Sequence, residues 1–193
     1  EKGAITLEIG IHGIPVTMTQ DYYDKLFNGA LWEYWKMNND NRDAFYYNRV
    51  VLGSIRAVDF LCGLPEYNGK SLGVTGSSQG GALSVMCDHS AFLQHRAGGW
   101  PHYFYNQASP NKEEIHVSRY YDVVNFARRL SIPGWFSWGY NDEVCPPTSM
   151  YSAYNSITSP KELHPYLETG HYWYQEQYDE WNNWLWKQLG IIL

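Results

Sequence analysis

The stretch Gly73-Val74-Thr75-Gly76-Ser77-Ser78-Gln79-Gly80-Gly81 contains the change of secondary structure that decides the fold. The apolar and β-branched residues around Val74 predict a strand, and the residues from Gln79 onward predict a helix. Between them, Gly76-x-Ser78-x-Gly80 has the pattern of a nucleophile elbow, a tight turn that holds a serine in a strained backbone conformation at the start of a helix. A glycine-serine turn that only joins a strand to a helix would give the same pattern.

The glycines and the helix of this turn have physical roles in the elbow interpretation. A side chain at position 76 or 80 is expected to collide with the neighbouring strand or helix where the chain reverses, and glycine avoids this. A helix that begins at Gln79 directs the positive end of its dipole at Ser78, where negative charge develops during acyl transfer. The backbone N–H of Gln79 is therefore a candidate oxyanion donor.

Composition and charge narrow the class of protein. The 193 residues are enough for one domain with a sizeable core, and hydrophobic and aromatic contents of 44% and 17% argue against disorder. A formal net charge of −6, with no cluster of basic and aromatic residues, argues against a nucleic-acid partner. No apolar run is long enough to cross a bilayer, so we expect a soluble protein with no membrane partner, in the cytoplasm, the periplasm or outside the cell.

Cysteine and histidine usage indicates neither disulfides nor metal. Cys62, Cys87 and Cys145 cannot all pair within one molecule, and each is expected to be a buried thiol. The seven histidines show no spacing typical of a metal site. We therefore expect no metal and no other cofactor.

The chain before the elbow predicts one strand and two helices. These are a strand over Ala4–Ile9, a helix over about Asp21–Trp35 that Gly29 weakens, and a long helix over Asp43–Leu61. The long helix has the clearest pattern, with one apolar stripe of Tyr47, Val51, Ile55, Val58 and Cys62, and Asn41 or Asp43 can cap its start.

The chain after the elbow predicts alternating helices and strands. In order they are a helix over His116–Leu130, a strand over Ile132–Trp138, a helix over Thr148–Ile157, a strand over Glu162–Leu167, and an amphipathic C-terminal helix marked by Tyr174, Tyr178, Trp181, Leu185 and Leu189. This alternation predicts an α/β fold, with a mostly parallel sheet flanked by helices in a single domain over residues 1–193.

Two places suggest that parts of this domain are missing. The strand at Ala4–Ile9 begins so early that N-terminal strands are expected to precede it. After Met86 no strand of Val, Ile or Leu character returns, and the helix after the elbow would be only about two turns long. We therefore expect a missing segment at a joint between Met86 and Asp88.

Three polar residues, Ser78, Asp142 and His171, each follow the C-terminal end of a predicted strand, the sheet edge where ligands usually bind. Their order along the chain is that of the α/β-hydrolases. In such a triad the histidine takes the serine proton and the carboxylate orients the histidine. Glu143 is an alternative acid, but Asp142 lies nearer the strand end. Taken singly, the three residues would also suit a helix cap, a turn and a structural histidine.

The sequence resembles the acetyl xylan esterase / cephalosporin C deacetylase family of carbohydrate esterases (family 7). The resemblance includes the elbow, Gly170-His171 and the motifs Tyr46-Tyr47-x-Arg49-Val50 and Arg56-Ala57-Val58 of the long helix. Its most specific part is Gly139-Tyr140-Asn141-Asp142-Glu143-Val144-Cys145-Pro146-Pro147, followed by Tyr151-Ser152-Ala153-Tyr154-Asn155. The elbow alone would also fit lipases, peptidases and many other esterases.

The resemblance implies an α/β-hydrolase fold, an oligomer, and a serine carboxylesterase acting on acetylated xylo-oligosaccharides or similar small acetyl esters. It assigns Ser78 as nucleophile, His171 as base and Asp142 as the acid. Trp100 and Tyr103 are candidates for the pocket wall. Two alternatives remain open, a prolyl-oligopeptidase-like serine peptidase and an inactive relative that binds glycans through its many aromatic residues.

The chain departs from the family pattern in three places. His12-Gly13-Ile14 stands where family members usually carry Arg-Gly-Gln, and Tyr172 stands where the family often has Glu after the histidine. The family's N-terminal His-Gly loop, which would supply a second oxyanion donor, would lie upstream of Glu1.

Overall fold

The computed structural model describes residues 3–84 and 111–191, which separate into two compact units. The first unit contains residues 70–84 and 118–191, together with residues 3–4. The second contains residues 5–69 and 111–117. That the chain forms a single domain stays a prediction, and the expected joint between Met86 and Asp88 lies outside the described residues.

The described helices and strands follow one another in a mixed order. They are α1 (Gln20–Phe27), α2 (Tyr46–Cys62), α3 (Gln79–Ser84), α4 (Lys112–Ser118), α5 (Val123–Ala127), β1 (Gly134–Gly139), α6 (Pro147–Ser156), β2 (Lys161–Tyr166) and α7 (Gln175–Gln188). Short 3-10 turns lie at Tyr34–Lys36 and Arg119–Tyr121.

Strands β1 and β2 of the first unit pair in parallel, with Gly134 opposite Lys161 and Gly139 opposite Tyr166. Since successive side chains of a strand point to opposite faces, the two faces bind different helices. Trp138 packs edge-on against Tyr151 of α6, with ring centroids 4.9 Å apart. On the other face, the indole N–H of Trp184 in α7 donates to Glu162 at 2.8 Å. The predicted α/β fold, with a parallel sheet between helices, is confirmed.

Both strands predicted near the elbow and near the start of the chain are wrong. Residues 4–10 and 71–76 form no strand in the described part of the chain. A strand needs a neighbour to complete its hydrogen-bond ladder, and within residues 3–84 and 111–191 only β1 and β2 pair. The alternating apolar side chains of Ile5, Leu7 and Ile9 are correspondingly exposed.

Polar side chains end two helices earlier than the apolar pattern predicts. The helix predicted over Asp21–Trp35 ends at Phe27, where the Asn28 side chain donates to the carbonyl of Asp24 at 2.8 Å. The helix predicted over His116–Leu130 is divided, because the Asp122 carboxylate accepts from the backbone N–H of Val124 at 3.0 Å and starts α5 there. Asn and Asp side chains compete in this way with the helical backbone hydrogen bonds.

The long helix α2 confirms the predicted helix, but its buried residues differ from the predicted apolar stripe. Its buried residues all lie in its first five positions, and both Ile55 and Cys62 are exposed. The Asn41 side chain closes the turn before the helix by accepting from the N–H groups of Asp43 and Ala44. The expectation of a buried thiol is therefore wrong for Cys62, because the apolar stripe continues past the packed part of the helix. It is correct for Cys145, and Cys87 lies outside the described residues.

His12, in one of the segments that depart from the family pattern, lies in an aromatic cluster of the second unit. Its ring centroid is 5.4 Å from that of Phe27 and 4.7 Å from that of Tyr34, and its Nδ1 is 2.7 Å from the Tyr46 hydroxyl. Arg49 of α2 donates to the His12 carbonyl. Burial lowers the pKa of His12, and the positive charge of Arg49 lowers it further.

The lowered pKa of His12 predicts that the free energy of unfolding falls as the pH drops below about 6.5, the ordinary histidine pKa. The unfolded chain binds the proton first, so the contribution of this residue is fully present above that pH and is lost toward the folded-state pKa. Reversible denaturant unfolding of the full-length protein at about pH 7.5 and about pH 5.5 measures this loss. We expect a smaller loss in His12→Gln, and an equal loss in both proteins would contradict the prediction.

Within residues 3–84 and 111–191, no helix combines the length and the apolar character needed to span a membrane.

Candidate active site

Ser78 lies between an extended segment and α3 with its backbone in the left-handed region, at φ 51°. This conformation is uncommon for a residue with a side chain, because the Cβ crowds the following carbonyl. Hydrogen bonds on both sides hold it, from the N–H of Gly80 to the carbonyl of Ser77 and from the N–H of Ala82 to that of Ser78, each 2.8 Å. The segment therefore has the strained geometry of a nucleophile elbow.

The two glycines of the elbow differ in their steric role. A Cβ at Gly76 would overlap the carbonyl group of Gly80 and would lie 2.7 Å from the backbone nitrogen of Gly81. A Cβ at Gly80 would meet nothing within 4 Å among the described residues. The predicted collision is thus present at position 76, while at position 80 the prediction is wrong, because the described neighbours leave open space there.

Ser78, His171 and Asp142, the three residues singled out in the sequence, are joined by hydrogen bonds. The Ser78 Oγ lies 2.8 Å from the His171 Nε2, and the His171 Nδ1 lies 2.8 Å from the Asp142 Oδ2. Asp142 is buried, whereas Ser78 and the alternative acid Glu143 are exposed. The structure therefore brings Asp142 to the imidazole.

The loop that carries Asp142 fixes its carboxylate from behind. The Oδ1 atom accepts from the backbone N–H groups of Val144 and Cys145, at 2.8 and 2.7 Å. With both N–H groups on one oxygen, the other oxygen faces His171. Pro147 begins α6 directly after this turn, where its fixed φ suits the first helical position. The motif around Asp142, the most specific part of the family resemblance, thus fixes the orientation of this carboxylate.

The loop that carries His171 crosses very close to the end of β1. A Cβ at Gly139 would overlap the carbonyl oxygens of Thr169 and Gly170. The backbone N–H of Asn141 donates to the Thr169 carbonyl at 3.0 Å, and Thr169 is fully buried. The glycine at the end of β1 therefore allows the two loops to lie against each other, with Asp142 next to His171.

A cavity of about 310 Å³ opens beside the Ser78 hydroxyl and the His171 ring. Many of its lining residues are aromatic, among them Trp138, Tyr172, Trp173, Tyr178 and Trp181. Tyr172 and Trp173 were not predicted as wall residues, although the run of three aromatics directly after His171 was a signal for them. Trp100 and Tyr103, the predicted wall candidates, lie outside the described residues and stay predictions.

The place of Gln79 at the start of α3 makes its backbone N–H a candidate oxyanion donor. Gln79 is the first residue of α3, so its backbone N–H comes directly after Ser78. A hydroxyl bonded to an imidazole that is itself bonded to a carboxylate is an arrangement that can activate the hydroxyl as a nucleophile. The part of the chain that the structure describes holds no cluster of three His, Cys, Asp or Glu residues able to bind a metal.

Comparison with known proteins identifies the family. The sequence model of the acetyl xylan esterase family (AXE1) matches residues 34–103 and 100–188, which is most of the chain. The chain belongs to this family. The elbow, the segment around Asp142 and Gly170-His171 all lie within the matched ranges. The resemblance seen in the sequence is therefore confirmed.

Individual similar proteins support the same family assignment. The acetyl esterase Axe7A of Xylanibacter ruminicola is 38% identical over 182 residues, which is 84% of this chain and 42% of that protein. The acetyl xylan esterase from Paenibacillus sp. R4 has 25% identity and a TM-score of 0.70, over 80% of this chain and 57% of that one. Acetyl xylan esterase 1 from Thermoanaerobacterium sp. has the same fold, with 23% identity and a TM-score of 0.66, over 77% and 55% of the two chains. The chain thus spans about half the length of these relatives.

The asymmetry of the two elbow glycines predicts different effects of the same substitution in this acetyl xylan esterase family member. Gly76→Ala is expected to lower the turnover of p-nitrophenyl acetate by at least ~100-fold, because the added Cβ pushes against the backbone of α3 and displaces the strained serine. Gly80→Ala is the matched control and is expected to keep turnover within about threefold, since its Cβ meets none of the described residues within 4 Å. Equal losses in the two variants would contradict this difference.

Proposed function

We propose that the protein is a serine carboxylesterase that removes acetyl groups from acetylated xylo-oligosaccharides or similar small acetyl esters. The observation that carries this proposal is the continuous hydrogen-bond chain from Ser78 through His171 to Asp142. Membership of the acetyl xylan esterase family supports the acetyl ester as the substrate.

In the first half of the proposed reaction, the Ser78 Oγ attacks the acetyl carbonyl carbon while the His171 Nε2 takes the hydroxyl proton. The imidazolium that forms keeps its Nδ1–H bond to Asp142, whose other oxygen the loop already holds. The ring therefore does not have to reorient during the proton transfer. This fixed geometry supports His171 as the base and Asp142 as its positioning carboxylate.

The tetrahedral intermediate then needs hydrogen-bond donors for its oxyanion. The backbone N–H of Gln79 follows Ser78 at the start of α3, and we assign it as one donor. His171 returns its proton to the departing sugar oxygen, which leaves as an alcohol and gives an acetyl-serine. Water, deprotonated by the same imidazole, attacks this ester, and acetate leaves while the serine recovers its proton.

We also propose, as the family resemblance implies, that the working form of the protein is an oligomer. Size-exclusion chromatography with light scattering on the full-length protein tests this part of the proposal. A mass equal to one chain would contradict it.

Ser78→Ala tests the nucleophile. We expect p-nitrophenyl acetate turnover by the full-length protein to fall by several orders of magnitude, on the order of 10⁶ in a comparable serine hydrolase, because the variant has no group to form the acetyl-enzyme. Acetylated xylo-oligosaccharides serve as the second substrate. Turnover that is unchanged in the variant would overturn the proposal and favour an inactive, glycan-binding relative. Serine-dependent cleavage of peptides alone would favour a peptidase.

Asp142→Asn tests the carboxylate assignment with a matched control. The substituted amide can still accept from the loop N–H groups, but it presents an NH₂ group to the His171 Nδ1 and so favours the wrong tautomer. We expect kcat to fall by about 10⁴-fold near neutral pH. Glu143→Gln also removes one negative charge, but from the exposed residue that follows Asp142. It is expected to leave kcat unchanged. A larger effect of Glu143→Gln would overturn the assignment.

A further inference from the structure

Three consecutive aromatic side chains follow His171 and are largely exposed. Tyr172, Trp173 and Tyr174 keep 54%, 55% and 42% of their surface accessible to solvent. The proposed ester chemistry uses none of them. Clustered exposed aromatics of this size commonly mark a site that binds something.

Two of these aromatics also line the cavity beside Ser78 and His171. Tyr172 and Trp173 contribute to its wall, and Tyr178 of the first turn of α7 contributes as well while staying 43% exposed. The part of a substrate next to the scissile acetyl group would therefore meet aromatic surface before it meets solvent.

Ring contacts orient Tyr172 and Tyr178, which lie on either side of Trp173 in the sequence. The Tyr172 and Tyr174 rings are T-shaped, with centroids 5.9 Å apart, and Tyr178 makes the same type of contact with Trp181 at 5.4 Å. A Cβ at Gly170 would be 3.6 Å from the Tyr172 ring, so this ring also packs beside the backbone that precedes His171. Rings that are already ordered lose little conformational entropy when a ligand binds.

The charges around this cluster favour a neutral ligand. The pKa of Tyr174 is raised, chiefly by its hydrogen bond with Tyr172, and the nearby carboxylates of Glu168 and Glu176 raise it further. The cluster combines apolar ring faces and hydroxyl groups with the two nearby carboxylates. An anionic ligand would be repelled there, whereas a pyranose ring, which is neutral and has apolar faces, would not.

We propose that Tyr172, Trp173 and Tyr178 form a platform on which the pyranose rings of the glycan chain that carries the acetyl group stack. This inference rests on the proposed function and specifies its substrate class as acetylated oligosaccharides rather than small acetyl esters. The platform binds the sugar rings that neighbour the acetylated sugar. The polar groups of Ser78 and His171 contact the acetyl ester itself.

Trp173→Ala tests the platform through substrate preference. The kcat/KM for acetylated xylo-oligosaccharides is expected to fall about tenfold more than that for p-nitrophenyl acetate, which has no sugar to stack, with most of the difference in KM. Trp173→Phe, which keeps an aromatic face, is expected to restore most of the preference. Phe126→Ala removes an aromatic of α5 that is 41% exposed and outside the cavity wall, and is expected to change neither substrate. Equal loss on both substrates in Trp173→Ala would overturn the platform.

A binding measurement separates the platform from the chemistry. In the Ser78→Ala background, titration calorimetry with non-acetylated xylo-oligosaccharides is expected to give a Kd that rises about tenfold when Trp173→Ala is added. An unchanged Kd, or no binding in either protein, would overturn the platform. Esterase activity that does not depend on Ser78 would overturn the proposed function and leave this Kd comparison interpretable.

Discussion

The hydrogen bond between the His171 Nδ1 and the Asp142 Oδ2 is the interaction on which the rest of the site depends. The two residues lie 29 positions apart, in loops that follow neighbouring strands. Because β1 and β2 are parallel, both loops leave the sheet at the same edge. The glycine at position 139 then allows the loops to touch, and the imidazole is turned toward Ser78. The sheet therefore determines where the acid and the base of the proposed mechanism meet.

Ser78 is positioned by a different kind of constraint. Its φ of 51° is unfavourable in isolation, and the two hydrogen bonds at the start of α3 and the close approach of Gly76 to Gly80 keep it there. The strain places the hydroxyl 2.8 Å from the imidazole without a long side chain. A serine on a relaxed helix would have neither this position nor the N-terminus of α3 beside it.

The elements that the sequence predicted correctly are those that local patterns determine. The apolar runs of β1 and β2, the proline that begins α6 and the stripe of α7 define these elements without reference to distant residues. Asp142 and His171 could be recognised because each follows such an element, whereas Ser78 was recognised by the local Gly-x-Ser-x-Gly pattern before α3. The segments 4–9 and 72–75 were predicted as strands and form none, since a strand is completed by a neighbour that its own sequence does not specify. Asn28 and Asp122 ended helices through single hydrogen bonds that apolar periodicity cannot show.

Tyr172 borders the site without taking part in the hydrogen bonds of His171. The family pattern often has a glutamate after the histidine, and a tyrosine there changes the surface next to the site while leaving the contacts of His171 with Ser78 and Asp142 intact. The imidazole is held by the loop backbone and by Asp142, so the next side chain does not have to support it. It can instead differ with the ligand that the cavity meets. We therefore expect the proposed chemistry to depend on the hydrogen-bonded Ser78, His171 and Asp142, and the substrate preference to depend on the aromatic residues that border them.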